Sequence, residues 1–352
     1  MTVISSPNAT NSTSGLLGYL VGESGTIQSR LTQLSQQASS GLVAQTYGGM
    51  GAAAQISLNL RPQLSEVAAY GQNITSANTQ LSVTSQSLDQ LQQIASTFST
   101  GLLSVNAGTS QEVDTLAAQA KAALGQVQSL LNTQVGNKYI FAGQDSANQP
   151  LPDAQFNAYV QAVQAPLAVL ATSSSATTIA ATLSAASTNS PFSATLGATP
   201  ELVSVGVGIT TPVGIVAGQN AYVTQVGANT TGSYVLDLIR SLATVAAMSS
   251  AQMTAAPANF SAVVSDTLTN LRSTVTVINN ENAGVGAAQQ TLTSDQTNLS
   301  DMQTALTTQI ANVENVDAAS TATALARAQT QLQISYKLIA SAESMSLVSY
   351  LP

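Results

Sequence analysis

The chain has 352 residues, a formal net charge of −8 and only 7% charged residues, against about 25% in ordinary globular proteins. It contains neither cysteine nor histidine, which excludes disulfides, Ser-His and Cys-His nucleophile pairs and the usual zinc cages. The eight Lys and Arg residues are scattered from Arg30 to Lys337 without a patch for nucleic acid, while 44% hydrophobic residues suffice for a sizeable core.

The lead, Met1 to Ser14, is polar and uncharged, without the basic start and apolar core of a secretory signal peptide. A first helix is expected after it, because Ile27, Leu31, Leu34, Ala38 and Leu42 fall on one stripe. Gly41 and then Gly48-Gly49-Met50-Gly51 interrupt that stripe, which predicts an irregular link. Pro62 is suited to open a second helix, where a missing N–H is not needed.

From Val67 the apolar positions step by threes and fours through Tyr70, Ile74, Ala77, Leu81, Thr84, Leu88, Leu91, Ala95 and Phe98 to Leu102, the pattern of a coiled-coil seam. This helix is expected to end near Leu103. Thr109 with Glu112 forms a candidate capping box for the next helix, striped by Val113, Leu116, Ala120, Ala123, Val127 and Leu130. Tyr139-Ile140-Phe141-Ala142-Gly143 reads as a short strand or extended turn.

Between about Pro150 and Gly232 the heptads vanish. Leu202 to Thr210 alternates as a strand, and Pro212, Gly214 and Gly218 punctuate turns; Phe156 to Ala186 is compatible with some helix. The uncharged segment Ala154 to Pro200 is broken by Gln161, Gln164 and Pro166, so no membrane span is expected there.

Helical pattern resumes near Ser233, and a long returning helix carries Val264, Leu268, Leu271, Val275, Ile278, Asn282, Val285, Gln289, Leu292, Leu299, Met302 and Leu306. Asn315-Val316-Asp317 interrupts it, with Asp317 placed to cap the last helix. In that helix Leu325, Leu332 and Ile339 repeat every seven residues, while Ile334, Leu338 and Met345 form a second apolar row. A helix apolar on more than one face must bury more than one face.

The fold class expected is mainly α: a long antiparallel helical bundle or coiled coil built from both chain ends, with a small β-rich inserted middle domain. The expected domains are 1–46 plus 311–352 for assembly, 47–148 plus 233–310 as a helical bundle, and 149–232 as the insert. Ile74, Leu81, Leu88, Leu91, Leu268, Leu271, Val275 and Ile278 are the expected intramolecular core. Ile27, Leu31, Leu34, Leu42, Leu325, Leu332, Ile339, Met345 and Leu347 are the expected assembly interface, since the end segments have little local core of their own.

Leu31-Thr32-Gln33-Leu34-Ser35 through Ser39-Ser40-Gly41-Leu42, and Ile310-Ala311-Asn312-Val313-Glu314-Asn315-Val316-Asp317-Ala318-Ala319, resemble segments at the two ends of the flagellin superfamily. Leu131 to Gly143, with Asn137-Lys138-Tyr139-Ile140-Phe141-Ala142-Gly143, is similar to a segment of its hook-associated branch, as is the closing Ser346-Leu347-Val348-Ser349-Tyr350-Leu351. The chain departs from the family at Val43 to Gly51, where a charged stretch with paired acids is usual. It also lacks, at Gln92 to Ser96, the arginine-rich pattern that filament flagellins present to immune receptors.

The resemblance implies a structural subunit of the hook-filament junction, without enzymatic activity or cofactor. It implies export through the flagellar type III apparatus and assembly outside the cell. The implied partners are further copies of itself, a neighbouring hook-associated protein, filament flagellin and an export chaperone. Filament flagellin and a secreted coiled-coil adhesin are the alternative readings. A carboxylate-pair hydrolase in the insert has little to work with, since Asp153 and Glu201 are the only acids between Asp145 and Asp237.

Overall fold

The three-four apolar rhythm of the two chain halves yields very long helices in the computed structural model, which describes residues 9–107, 110–223 and 227–348. Two compact units result, one of residues 1–67 with 301–352 and one of residues 68–300. In chain order the elements are α1 (Ala9–Ser40), the single turn α2 (Tyr47–Met50), α3 (Ala53–Ala107), α4 (Ser110–Leu131), β1 (Gln134–Val135) and β2 (Lys138–Tyr139). Then follow α5 (Asp153–Gln164), α6 (Ser175–Thr188), β3 (Glu201–Gly206), β4 (Ile209–Val213), α7 (Tyr234–Ala246), α8 (Ser250–Ala255), α9 (Pro257–Glu314) and α10 (Ala318–Val348). The chain is thus mainly α, with long helices from both ends packed together and two small antiparallel hairpins between them.

In the larger unit α3 and α9 run antiparallel. The Ser85 hydroxyl donates to Asn282 Oδ1 at 2.7 Å, and Asn282 Nδ2 donates to Asp89 Oδ1 at 2.7 Å, which fixes their register. Ile74, Leu81, Leu88 and Leu91 are fully buried on α3, and Leu271 and Ile278, with Val285 and Leu292, on α9. Leu268 and Val275 pack half-buried against this core. The second buried row of α9 is instead Thr267, Thr274 and Glu281, one residue earlier in each turn. The threonines enter without leaving a polar group unsatisfied, because Thr267 Oγ1 donates to the Val263 carbonyl at 2.8 Å and Thr274 Oγ1 to that of Asn270 at 2.9 Å.

Helix α7 is buried almost all round because α4, α5 and α6 pack against it. Ser233 caps its start, and its interior holds the charged residues Asp237 and Arg240. Burial holds the Asp237 carboxyl above the usual Asp range, although hydrogen bonds from Thr230 and Thr231, and the Arg240 guanidinium 3.7 Å away, oppose the rise. The middle of the chain has the β3–β4 hairpin, turned at Val207-Gly208 with Gly208 at φ +69°, beside helices α5 and α6 over the stretch left open to helix. Lys138 pairs with Glu201 and ties β2 to β3.

Three boundaries differ from expectation. The first helix already begins at Ala9 within the polar lead, and α3 extends to Ala107. Pro62 lies inside α3, which starts at Ala53. The helix tolerates it because Pro62 and Leu58, whose carbonyl loses its partner, are both exposed, leaving that carbonyl to water. The capping box at Thr109 falls outside the described residues. No helix of the described residues is long and apolar enough to cross a membrane.

Candidate assembly interface

The smaller unit is organised by the antiparallel pair α1 and α10. Gln28 Nε2 donates to the Tyr336 hydroxyl at 2.5 Å partway along it. On α10 the side chains turned inward repeat as Thr321, Leu325, Ala328, Leu332, Ser335, Ile339 and Ala342, steps of four and three. The small members Thr321, Ala328, Ser335 and Ala342 are buried, and Leu325, Leu332 and Ile339 are half-buried. On α1 Leu20, Ser24, Ile27, Leu31 and Leu34 follow the same rhythm; only Ser24 is fully buried. Two helices alone therefore leave their own large apolar residues incompletely covered.

Among the described residues the second row of α10 is only about half covered. Ile334 and Leu338 are each 51% exposed. Tyr336, on the other side of α10 where it accepts from Gln28, is 47% exposed, and Tyr19 and Val21 of α1 are more exposed still. The side chains of Met345 and Leu347 lie outside the described residues. Such a concentration of exposed apolar side chains on paired helices marks a surface that binds protein.

Where α1 and α9 end, the two strands of the chain are strapped together. Gly41, at φ +72°, closes α1 with its N–H on the Gln37 carbonyl at 2.9 Å, a conformation that favours glycine. Leu42, half-buried, then bridges to Asn315: Val43 N donates to the Glu314 carbonyl at 2.7 Å and Val316 N to the Gly41 carbonyl at 2.9 Å. Gln37 Nε2 donates back to the Val43 carbonyl at 2.8 Å. Asp317 caps α10 by accepting from the N–H groups of Ala319 and Ser320 at 2.9 and 3.2 Å. The irregular link expected from the glycines is thus an ordered backbone clasp.

Glu314 anchors this clasp to α3. Its carboxylate accepts a two-pronged contact from Arg61, 2.8 Å from Nε and 2.6 Å from Nη2, and a further bond from the Ser57 hydroxyl. These bonds, Arg61 first and Ser57 second, hold the carboxyl below the usual Glu range. A depressed folded-state pKa contributes stability above the unfolded value of about 4.3 and loses it as pH falls through the folded value. We expect amide protection at Val43 and Val316 to fall in that acid window, and Glu314→Gln to flatten the dependence. Hydrogen exchange as a function of pH checks this.

Sequence reasoning found the large residues of both terminal stripes but not the small ones between them, nor the cluster that joins Ser57 and Arg61 to Glu314, over 250 positions away in the chain. The one available signal was Glu314 beside the helix break. Among the described residues no group of acidic side chains is placed to hold a metal ion.

Comparison with known proteins follows the same division of the chain. Residues 23–146 match the bacterial flagellin N-terminal helical region and residues 268–351 the bacterial flagellin C-terminal helical region. The fold is similar to that of a chain from Vibrio parahaemolyticus described as a flagellar hook-associated protein. The TM-score is 0.53 at 16% identity, over 74% of this chain and 97% of that one. Comparison with curated proteins gave no match. With both terminal helical regions matched over more than half its length, the chain belongs to the bacterial flagellin superfamily, whose members build the extracellular flagellum.

Proposed function

We propose that this chain is the non-catalytic structural subunit that joins hook to filament, assembling through α1 and α10. The observation that carries the assembly reading is the exposed pair Ile334 and Leu338 beside the half-covered stripe of Leu325, Leu332 and Ile339. Other copies, a neighbouring hook-associated protein and filament flagellin are the partners that cover it. The interface comprises these residues with Ile27, Leu31, Leu34, Leu42, Met345 and Leu347. Residues 1–46 with 311–352 serve assembly, 47–148 with 233–310 form the bundle, and 149–232 the insert.

The junction reading, in preference to filament flagellin, is supported by Asn137 to Gly143 and Ser346 to Leu351, which resemble the hook-associated branch. A chain without cysteine and with so few charges suits threading unfolded through a type III channel, escorted by a chaperone. Deleting the gene should leave hooks assembled and release filament subunits into the medium, counted by electron microscopy and immunoblot. Attached, full-length filaments in the deletion strain would refute the junction role.

A further inference from the structure

We propose that Glu23 of one copy of this chain docks between Arg30 and Arg327 of a second copy, setting the axial stagger of neighbouring subunits. The charges of the terminal pair point to it. Helix α1 carries two, Glu23 and Arg30, and α10 three, Arg327, Lys337 and Glu343; all are exposed, and none is ion-paired with another described residue. Arg30 and Arg327 nevertheless line one groove of about 530 Å³, floored by Ala324 and Ala328 and rimmed by Gln331. Among the described residues no carboxylate lines it. Two guanidiniums sharing a groove repel one another and favour an anion between them.

The chain's own charge order supplies that anion. Glu23 and Arg30 are seven residues apart on one face of α1, about 10 Å along the axis. The Gln28–Tyr336 contact places Glu343 near the level of Glu23, and Lys337 near the level of Gln28. The pair therefore has one basic stretch and one acidic stretch offset along its axis. A parallel second copy displaced by about 10 Å brings its Glu23 level with Arg30 and moves its Glu343 towards Lys337. The same displacement can be repeated from copy to copy, since groove and carboxylate are different surfaces of each. Apolar rows supply the affinity of such a contact, and the charges fix its register.

This rests on the reading of α1 and α10 as assembly helices, and the test separates the two. Glu23→Arg should cut filament attachment at least about tenfold, and adding Arg30→Glu and Arg327→Glu should restore it. If the wild-type protein is absent from sheared flagella, the assembly reading falls and this inference with it. If wild type is present while Glu23→Arg attaches filaments normally, the inference alone is overturned.

Discussion

Ile334→Asp should abolish filament attachment while leaving the isolated chain folded. Ile334 is 51% exposed in the single chain, so a carboxylate there stays hydrated and costs the monomer little. Inside an assembled bundle the same carboxylate is unpaired and dehydrated, a cost of several kcal/mol, more than enough to stop docking. Leu332→Asp adds a second effect, because Leu332 is half-buried on the α1 seam and the substitution also loosens the terminal pair. Leu332→Ala is milder and should lose less than the roughly 2 to 5 kcal/mol of a fully buried leucine. An attachment assay with circular dichroism on the purified chain distinguishes the cases. Normal attachment of Ile334→Asp means that this row faces solvent in the flagellum. Collapse of the monomer means that it is covered by the chain itself.

The contrast between these two rows also indicates what the sequence made legible. Seven-residue repeats such as Ile74, Leu81 and Leu88, or Leu325, Leu332 and Ile339, declare helices and their inner faces, because burial of large apolar groups dominates the choice of face. The antiparallel return of the chain was legible for the same reason. What stayed hidden were seam positions filled by small or polar residues: Thr267, Thr274, Ala328 and Ser335 carry no hydrophobic signal of their own, yet each is buried. A threonine bonded to its own helix or a serine small enough for close approach satisfies the seam by geometry, which spacing alone does not reveal. The Arg61–Glu314 contact and the Arg30–Arg327 groove were likewise invisible, since each needs the register of two helices distant in sequence.

Glu281→Ala should produce a large loss of stability although it removes no apolar core residue. Glu281 occupies a seam position on α9 and is fully buried, where a carboxylate without partners would be intolerable. Its partners are three consecutive backbone N–H groups: Ala221 donates to Oε2 at 2.9 Å, and Tyr222 and Val223 donate to Oε1 at 3.0 and 2.9 Å. The loop is thereby pinned across α9, and the Tyr222 ring lies over Gly284, where an added Cβ would stand 2.3 Å from it. Asn220 continues the attachment by accepting from Tyr234 N at 3.1 Å, which joins the loop to the start of α7. Hydrogen bonds to a charged group contribute about 1.5 to 3 kcal/mol each, and removing the acceptor frees a loop that partly rehydrates. The expected loss is therefore about 3 to 5 kcal/mol, below the sum of three such bonds. Glu281→Gln can keep its oxygen on the Tyr222 and Val223 N–H groups but turns its amide N–H₂ towards the Ala221 N–H, donor against donor, so it should recover only part of the loss. Gly284→Ala should cost about 1 to 3 kcal/mol by displacing Tyr222, and less than additively in the Glu281→Ala background, where the loop is already released. Urea unfolding of the four variants checks the cycle. A loss under about 1 kcal/mol for Glu281→Ala, or strict additivity with Gly284→Ala, would mean that the loop is held by something other than this carboxylate.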